Sequence, residues 1–369
     1  MYKILLATSL SIFILHAHST EETSSPKLGD SLNKTITLQD EKKIGLNIFK
    51  SLQKQNNIIN DFLISDYITY LGNRLSRNLG TEREYTFFVT KSKSVNAFAV
   101  PGGFIGINAG LINLTQNEAQ LAGVLAHELG HVVLRHSAEM MAMSNVNSIP
   151  LWVGIFAGLL AGQTEASIAS IQSGIGLSVQ NNINLVRENE IESDTFAAKL
   201  MQRANYDLNE MANFFRLMQG TSNSQSNLNE YFMTHPLYKN RISTIQNRAK
   251  GQNNPMLNSS NDYFYIRNIV NNDISSSSRT KYRATDNDIE NHRISLRLIK
   301  EGKYKQARDV LQDSFNKNNF NIYLASTMSQ IYWLDNKKNE ARSILEDVLT
   351  IYPNRSILIQ LAVYNIKDR

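Results

Sequence analysis

Residues 127–131 read His127-Glu128-Leu129-Gly130-His131. On a helix, positions i and i+4 share a face one turn apart, so the two imidazoles can reach one metal ion together. Glu128 sits beside them. Two imidazoles suit Zn²⁺, and a carboxylate next to the metal can take a proton from a water that the metal activates. That is equipment for hydrolysing a peptide bond. The plain alternative is a pair of core histidines satisfied by backbone carbonyls.

A helix must present this pair, and the preceding residues predict one. Thr115-Gln116-Asn117-Glu118 fits a capping box, with Thr115 as N-cap and Glu118 as N3. Gln116 to Ala126 is rich in Ala, Leu and Gln, which are good helix formers. Leu121, Val124 and Leu125 form an apolar stripe leading onto His127, Glu128 and His131. The motif is therefore expected mid-helix, on or next to the buried side.

A catalytic zinc usually takes three protein ligands and leaves one position for water. The chain has no cysteine, so the third ligand is His, Asp or Glu. Arg187-Glu188-Asn189-Glu190-Ile191-Glu192-Ser193-Asp194 forms an acidic cluster. It opens a second expected helix, Glu190 to Arg203, with Phe196, Ala197, Leu200 and Met201 as its stripe. Glu190 and Asp194 are i and i+4. One could bind the metal while the other orients a ligand histidine. Spacing alone leaves Glu188, Glu190 and Glu192 open, and a charged first turn that complements the helix dipole is the plain alternative.

Taken together, His127 to His131, Arg135-His136 and Glu190-Ile191-Glu192-Ser193-Asp194 resemble the zinc peptidase family that includes the heat-shock protease HtpX and the CAAX prenyl proteases. Asn96 to Gly103, its continuation Phe104 to Leu111, and Thr234-His235-Pro236-Leu237 with Arg241-Ile242 are similar to further elements of that family. The resemblance covers residues 35 to 250. It implies one Zn²⁺ per chain, held by His127, His131 and Glu190, with Asp194 orienting a ligand and Glu128 as general base. Members commonly carry Ala where Ser193 stands. His235 has two readings, as an oxyanion donor or as a reversible fourth ligand that keeps the site closed; a turn histidine is the plain one. Arg135 and His136, one turn beyond the ligands, read as structural or supporting residues. The strand Phe104, Ile105, Gly106, Ile107 and Asn108 is expected to offer an open edge to which an extended substrate adds as another strand. Such binding reads backbone more than side chains, so it suits unfolded or misassembled polypeptides.

The rest of the chain bounds the setting. Its 369 residues suggest two or three domains. Lys3, the apolar run Ile4 to Leu15 and Ala17-His18-Ser19 read as a signal peptide over residues 1–19. An exported chain without cysteine has no disulfides, and the expected compartment is the periplasm. The net charge of +5 is modest and its lysines and arginines are scattered, which gives no nucleic-acid footprint. The apolar stretch Ile149 to Ala161 falls short of the roughly 20 residues needed to cross a bilayer. It reads as a buried helix or a flap, with peripheral membrane contact as the alternative. Residues 251–285, dense in Asn and Ser, read as a linker, within which Tyr263-Phe264-Tyr265-Ile266 is apolar enough to dock on the peptidase domain at 20–250.

Beyond the linker, Gly302-Lys303-Tyr304-Lys305-Gln306-Ala307-Arg308 returns as Asn336-Lys337-Lys338-Asn339-Glu340-Ala341-Arg342, and Leu311 as Leu345. The interval resembles the tetratricopeptide repeat over 286–369. Two repeats and a last helix are too few to stand alone, so the array is expected to pack on the catalytic domain. The fold class expected is mainly α (α+β), a gluzincin-type zinc peptidase domain with a small sheet followed by helical repeats. The layout is similar to periplasmic family members that work in outer-membrane barrel assembly. The implied activity is zinc endopeptidase action on misfolded or misassembled proteins, with assembly machinery as a partner of the repeats. The rival is a non-proteolytic, zinc-containing chaperone or scaffold that binds clients through those repeats.

Overall fold

The computed structural model of the protein describes residues 36–77, 79, 83–143, 179–221, 229–238, 240–251, 259–273 and 287–368. The expected signal at 1–19 and the apolar stretch at 149–161 lie outside them.

Two helices open the described chain. α1 (Leu38–Lys54) starts on a capping box in which Thr37 Oγ1 accepts from Asp40 N and the Asp40 carboxylate accepts from Thr37 N. α2 (Phe62–Ser76) starts at Asp61, whose carboxylate accepts from Ile64 N. Three strands follow: β1 (Thr86–Thr90), β2 (Ala97–Val100) and β3 (Phe104–Asn108). Their order is β1-β3-β2, with β1 parallel and β2 antiparallel to β3. Phe88 and Phe98 both pair with Gly106, and their rings meet over it at 5.9 Å, where a Cβ would clash.

This topology corrects the expectation for Phe104–Asn108. β3 is the central strand, hydrogen-bonded along both edges, and has no open edge to offer. On the far side of β1, Ile59 N donates to Val89 O and Lys91 N to Asn57 O. Among the described residues the strand edge left without a neighbour is that of β2, which packs on the helix carrying the His-Glu-Leu-Gly-His motif.

That helix is preceded by a short one, α3 (Ala109–Leu114). The motif helix itself, α4, runs Glu118–Val133. Its N-cap is Asn117, which accepts from Gln120 N, and not Thr115 as the sequence suggested. Thr115 is fully buried and caps the end of α3, with its hydroxyl donating back to Ile112 O. Every residue of α4 from Glu118 to Gly130 is buried, so α4 is the central helix of the catalytic body.

α5 (His136–Met143) turns back from α4 through Arg135, which adopts a left-handed φ of 62°. α6 (Val179–Arg203) is longer than expected and packs along α4. Glu190 therefore lies mid-helix and cannot serve to complement a helix N-terminus. α7 (Asn209–Thr221), α8 (Asn229–Thr234) and α9 (Arg241–Ala249) complete the shell around the motif.

Within the stretch read as a linker, Asn261–Asp273 forms α10, with Tyr263, Tyr265, Ile266, Arg267 and Val270 buried. The Tyr263 hydroxyl donates to Thr115 O at 2.6 Å and Arg267 Nη2 to Asn113 O at 2.7 Å. α11 (Asn287–Lys300) pairs with α12 (Tyr304–Lys317), α13 (Ile322–Leu334) with α14 (Lys338–Ile351), and α15 (Arg355–Lys367) follows. One bond repeats through this array: Ser295 Oγ donates to Ala307 O, and Ser329 Oγ donates to Ala341 O. Both members shift by the same interval (329 − 295 = 341 − 307 = 34). The array is held at both ends. Asn268 Nδ2 on α10 donates to Ile289 O, and Asp66 on α2 receives Ser356 Oγ and pairs with Arg355. No helix among the described residues is long and apolar enough to cross a membrane.

Candidate active site

The site is built where α4 and α6 touch most closely. A Cβ at Gly130 would meet Ser193 Cα at 3.0 Å, so the glycine inside the motif lets α6 lie against α4. At that approach Glu190 and Asp194, one turn apart, flank His127. From the other side the segment after α8 brings in His235. One ligand atom from each of His127, His131, Glu190 and His235 lies within 4.8 Å of the others.

The distances have a pattern. His131 Nε2 is 3.0 Å from His127 Nε2 and 3.3 Å from Glu190 Oε1. His127 Nε2 is 3.4 Å from Glu190 Oε2 and 3.3 Å from His235 Nδ1, and the latter is 3.1 Å from Glu190 Oε1. Four ligands set about 2.0–2.1 Å from a tetrahedral zinc would stand about 3.4 Å apart. The donor set fits a metal of that kind in both chemistry and size.

A surrounding layer fixes these side chains. His127 Nδ1 faces Asp194 Oδ1 at 3.0 Å. Asp194 accepts from Arg241 Nε at 2.7 Å and Nη2 at 2.8 Å. Arg241 Nη1 donates to Pro236 O at 2.9 Å and lies 2.6 Å from Glu190 Oε2. One guanidinium thus ties the residue that orients His127, the carboxylate of the donor set and the backbone beside His235. In the sequence, Arg241 stands in the resembling segment without an evident role. Its signal was its place six residues after His235.

The two residues after α4 part ways. His136 Nδ1 lies 2.9 Å from His131 Nδ1, and its Nε2 lies 3.4 Å from Glu192 Oε2. Arg135 turns away, with Nε donating to Glu41 Oε1 at 2.6 Å and Nη2 to Ile36 O at 2.8 Å. It anchors the turn between α4 and α5 on Glu41 and Ile36. Glu192 meets His136, which leaves Glu190 as the acidic residue at the centre.

The buried groups of the centre shift one another's titration. Burial pulls His127 down, but Glu190 and then Asp194 outweigh it and push the imidazole up to about 9. Burial holds His131 down to about 4 and, with His131 beside it, His136 as well. Burial would raise Glu190, yet His235 and His127 hold it well below the usual carboxylate range. Burial raises Glu128, against the pull of His235 and His127. Glu128 is 0% exposed, His235 Nε2 is 3.4 Å from its Oε1, and neither carboxylate oxygen makes a hydrogen bond among the described residues. A buried carboxylate without donors is costly, and sites that retain one hold it for chemistry.

A fold with this centre is that of a metallopeptidase. The description that matches the chain is Peptidase family M48, over residues 65–249, half of its length, and the chain belongs to that family. It is 28% identical over 361 residues to the Beta-barrel assembly-enhancing protease of Yersinia pestis, covering 92% of this chain and 72% of that one. It is 27% identical over 351 residues to the protein of that name in Escherichia coli, covering 91% and 72%. It is 26% identical over 218 residues to the Mitochondrial metalloendopeptidase OMA1 of Schizosaccharomyces pombe, covering 57% and 61%.

Proposed function

We propose that this metalloprotease is a zinc-dependent endopeptidase of the periplasm that cuts unfolded or misassembled polypeptides and serves outer-membrane barrel assembly. The observation that carries the peptidase reading is Glu128, buried beside four converging metal donors and without a hydrogen-bond donor among the described residues. Bound zinc supplies Lewis acidity, which activates water and polarises the scissile carbonyl. His127, His131 and Glu190 would hold it. Glu128 takes the proton from the attacking water and passes it to the leaving amine. Asp194 holds the His127 ring through Nδ1, so that Nε2 faces the centre, and Arg241 fixes Asp194 and Glu190 together.

His235 stands with the donors. Its Nδ1 contacts Glu190 and His127, which supports the role of a reversible fourth ligand that closes the site. His235→Ala should then raise basal cleavage. Lowered turnover would move His235 to the oxyanion, and unchanged kinetics would dismiss both roles.

The substrate reading moves from β3 to β2, which packs on α4 and whose outer edge has no strand partner among the described residues. An extended segment adding there would be read through its backbone, as suits polypeptides that have not folded. The 34-residue spacing of Ser295 and Ser329 supports a tetratricopeptide-like array. Such an array would bind clients or the assembly machinery. The relatives' name supports the link to barrel assembly, and the N-terminal Lys3, apolar run and Ala17-His18-Ser19 support export.

One observation favours a second reading, a zinc-containing chaperone or scaffold. Four protein donors close the set, as in structural zinc sites. Time courses with an outer-membrane barrel protein, added unfolded and prefolded, separate the readings. The peptidase reading expects the unfolded form to be cut and the folded form spared, with Glu128→Gln inert. If neither wild type nor His235→Ala cuts, while both keep the client soluble, the scaffold reading replaces it.

A further inference from the structure

Tyr231 lies on α8, one turn before His235, whose backbone N donates to Tyr231 O at 2.7 Å. Its ring leans on the His235 ring at 4.9 Å and meets Phe214 edge-on at 5.8 Å. The side chain is 1% exposed, and its hydroxyl makes no hydrogen bond among the described residues. Packing accounts for the ring but not for the oxygen, which a phenylalanine at this position would not bury.

The surroundings of that oxygen are those of the active centre. Besides burial, the groups that act on it are Glu128, Arg241, Glu190 and Asp194. A phenol ordinarily keeps its proton to about pH 10, so the hydroxyl is a donor near neutrality. Among the described residues, a buried donor without an acceptor and a buried carboxylate without donors thus both lie against His235. Two unsatisfied groups around one centre are what a reaction with a developing charge requires, because the partner exists only during turnover.

We propose that Tyr231 is a catalytic residue of this centre, whose hydroxyl hydrogen-bonds the oxyanion formed when water attacks the scissile carbonyl. The inference rests on the peptidase reading above. No bond forms or breaks at Tyr231; the phenol keeps its proton, and the proton of the attacking water still travels through Glu128. Tyr231 and Glu128 are covered alike, at 1% and 0% exposure, with His235 against both. On this assignment the donor is Tyr231, and His235 is left to latch.

The test is Tyr231→Phe in the full zinc-loaded chain, assayed on unfolded casein beside wild type and Glu128→Gln, with zinc content and melting temperature measured for each. Phenylalanine keeps the ring contacts and removes only the oxygen. The expected result is a fall in kcat of about 100-fold, the usual loss for one oxyanion donor, with KM within about twofold. Zinc content should equal wild type and melting should be no lower. A kcat within about threefold of wild type, with Glu128→Gln inert, overturns the assignment and leaves the peptidase reading standing. A loss of kcat that follows lowered melting or zinc content also overturns it, since the hydroxyl would then be structural. Full activity in Glu128→Gln would sink the peptidase reading itself.

Discussion

Glu118 and Glu128 lie on the same helix, ten residues apart, and both are buried, at 2% and 0% exposure. Their surroundings are opposite. Glu118 begins the helix and is saturated: Tyr206 donates to one oxygen at 2.7 Å, Tyr67 to the other at 2.9 Å, and Ser260 to that second oxygen as well. These donors come from three residues beyond α6, from α2 and from just before α10, so one carboxylate pins three parts of the fold to the start of α4. The helix dipole favours its charge. Glu128 receives no hydrogen bond among the described residues and lies beside four candidate metal donors. On the proposed reading, the same side chain in the same helix serves the fold where its lone pairs are filled and the chemistry where they are left open.

Exchanging functional groups at the two positions should separate them most sharply. Glu128→Gln is expected to cost about 10³-fold in turnover, the scale of a lost general base. Melting should not fall, because a neutral amide replaces a buried carboxylate without donors. Glu118→Ala should do the reverse. It strands the Tyr67 and Tyr206 hydroxyls and should lower folding stability by about 3 kcal/mol in denaturant titration, with turnover per folded molecule nearly unchanged. If Glu118→Ala kills turnover in the folded enzyme, the division of labour along α4 is wrong.

A smaller effect is expected in the layer around the donors. Asp194→Asn removes the carboxylate that faces His127 and receives Arg241, and zinc affinity in competition with a chelator should fall about 10- to 100-fold. Equal affinity would mean that Asp194 only holds the helices together.

The smallest effect concerns a histidine filled in the manner of Glu118. His292, fully buried between α10 and the array, has Nε2 3.1 Å from Thr327 Oγ1 and Nδ1 3.4 Å from Asn268 Nδ2. Burial pushes it down to about 3 from its ordinary 6.5. The unfolded chain therefore takes up this proton first as pH falls. The stability that the neutral ring contributes is full above pH 6.5 and is lost between about 6.5 and 3. His292→Gln should flatten the dependence of melting temperature on pH in that window. An unchanged slope would assign the acid sensitivity to other groups.

Much of the centre was legible because helical spacing is local. His127 with His131 and Glu190 with Asp194 each follow from i and i+4, and the family resemblance chose Glu190 over Glu188 and Glu192. What spacing cannot carry is tertiary. Strand order is not written in Phe104–Asn108, so the open edge was placed on β3 where the fold leaves it on β2. Thr115 and Asn117 are both good caps, and the choice depended on α3 ending one residue before Thr115. The Asn- and Ser-rich composition of 251–285 hid α10, whose buried face is set by Tyr263, Ile266, Arg267 and Val270. The parts played by Arg241 and Tyr231 needed the fold, because their partners are distant in sequence.

Cleavage is expected to depend on a zinc ion held by His127, His131 and Glu190. The most direct measurement is metal content by mass spectrometry, paired with cleavage of unfolded casein by the full chain as purified, after chelation and after zinc is restored. The account predicts one zinc per chain, no cleavage once it is removed, and recovery with one equivalent of zinc. Cleavage that persists in the metal-free protein, or a chain that binds no zinc, would contradict it.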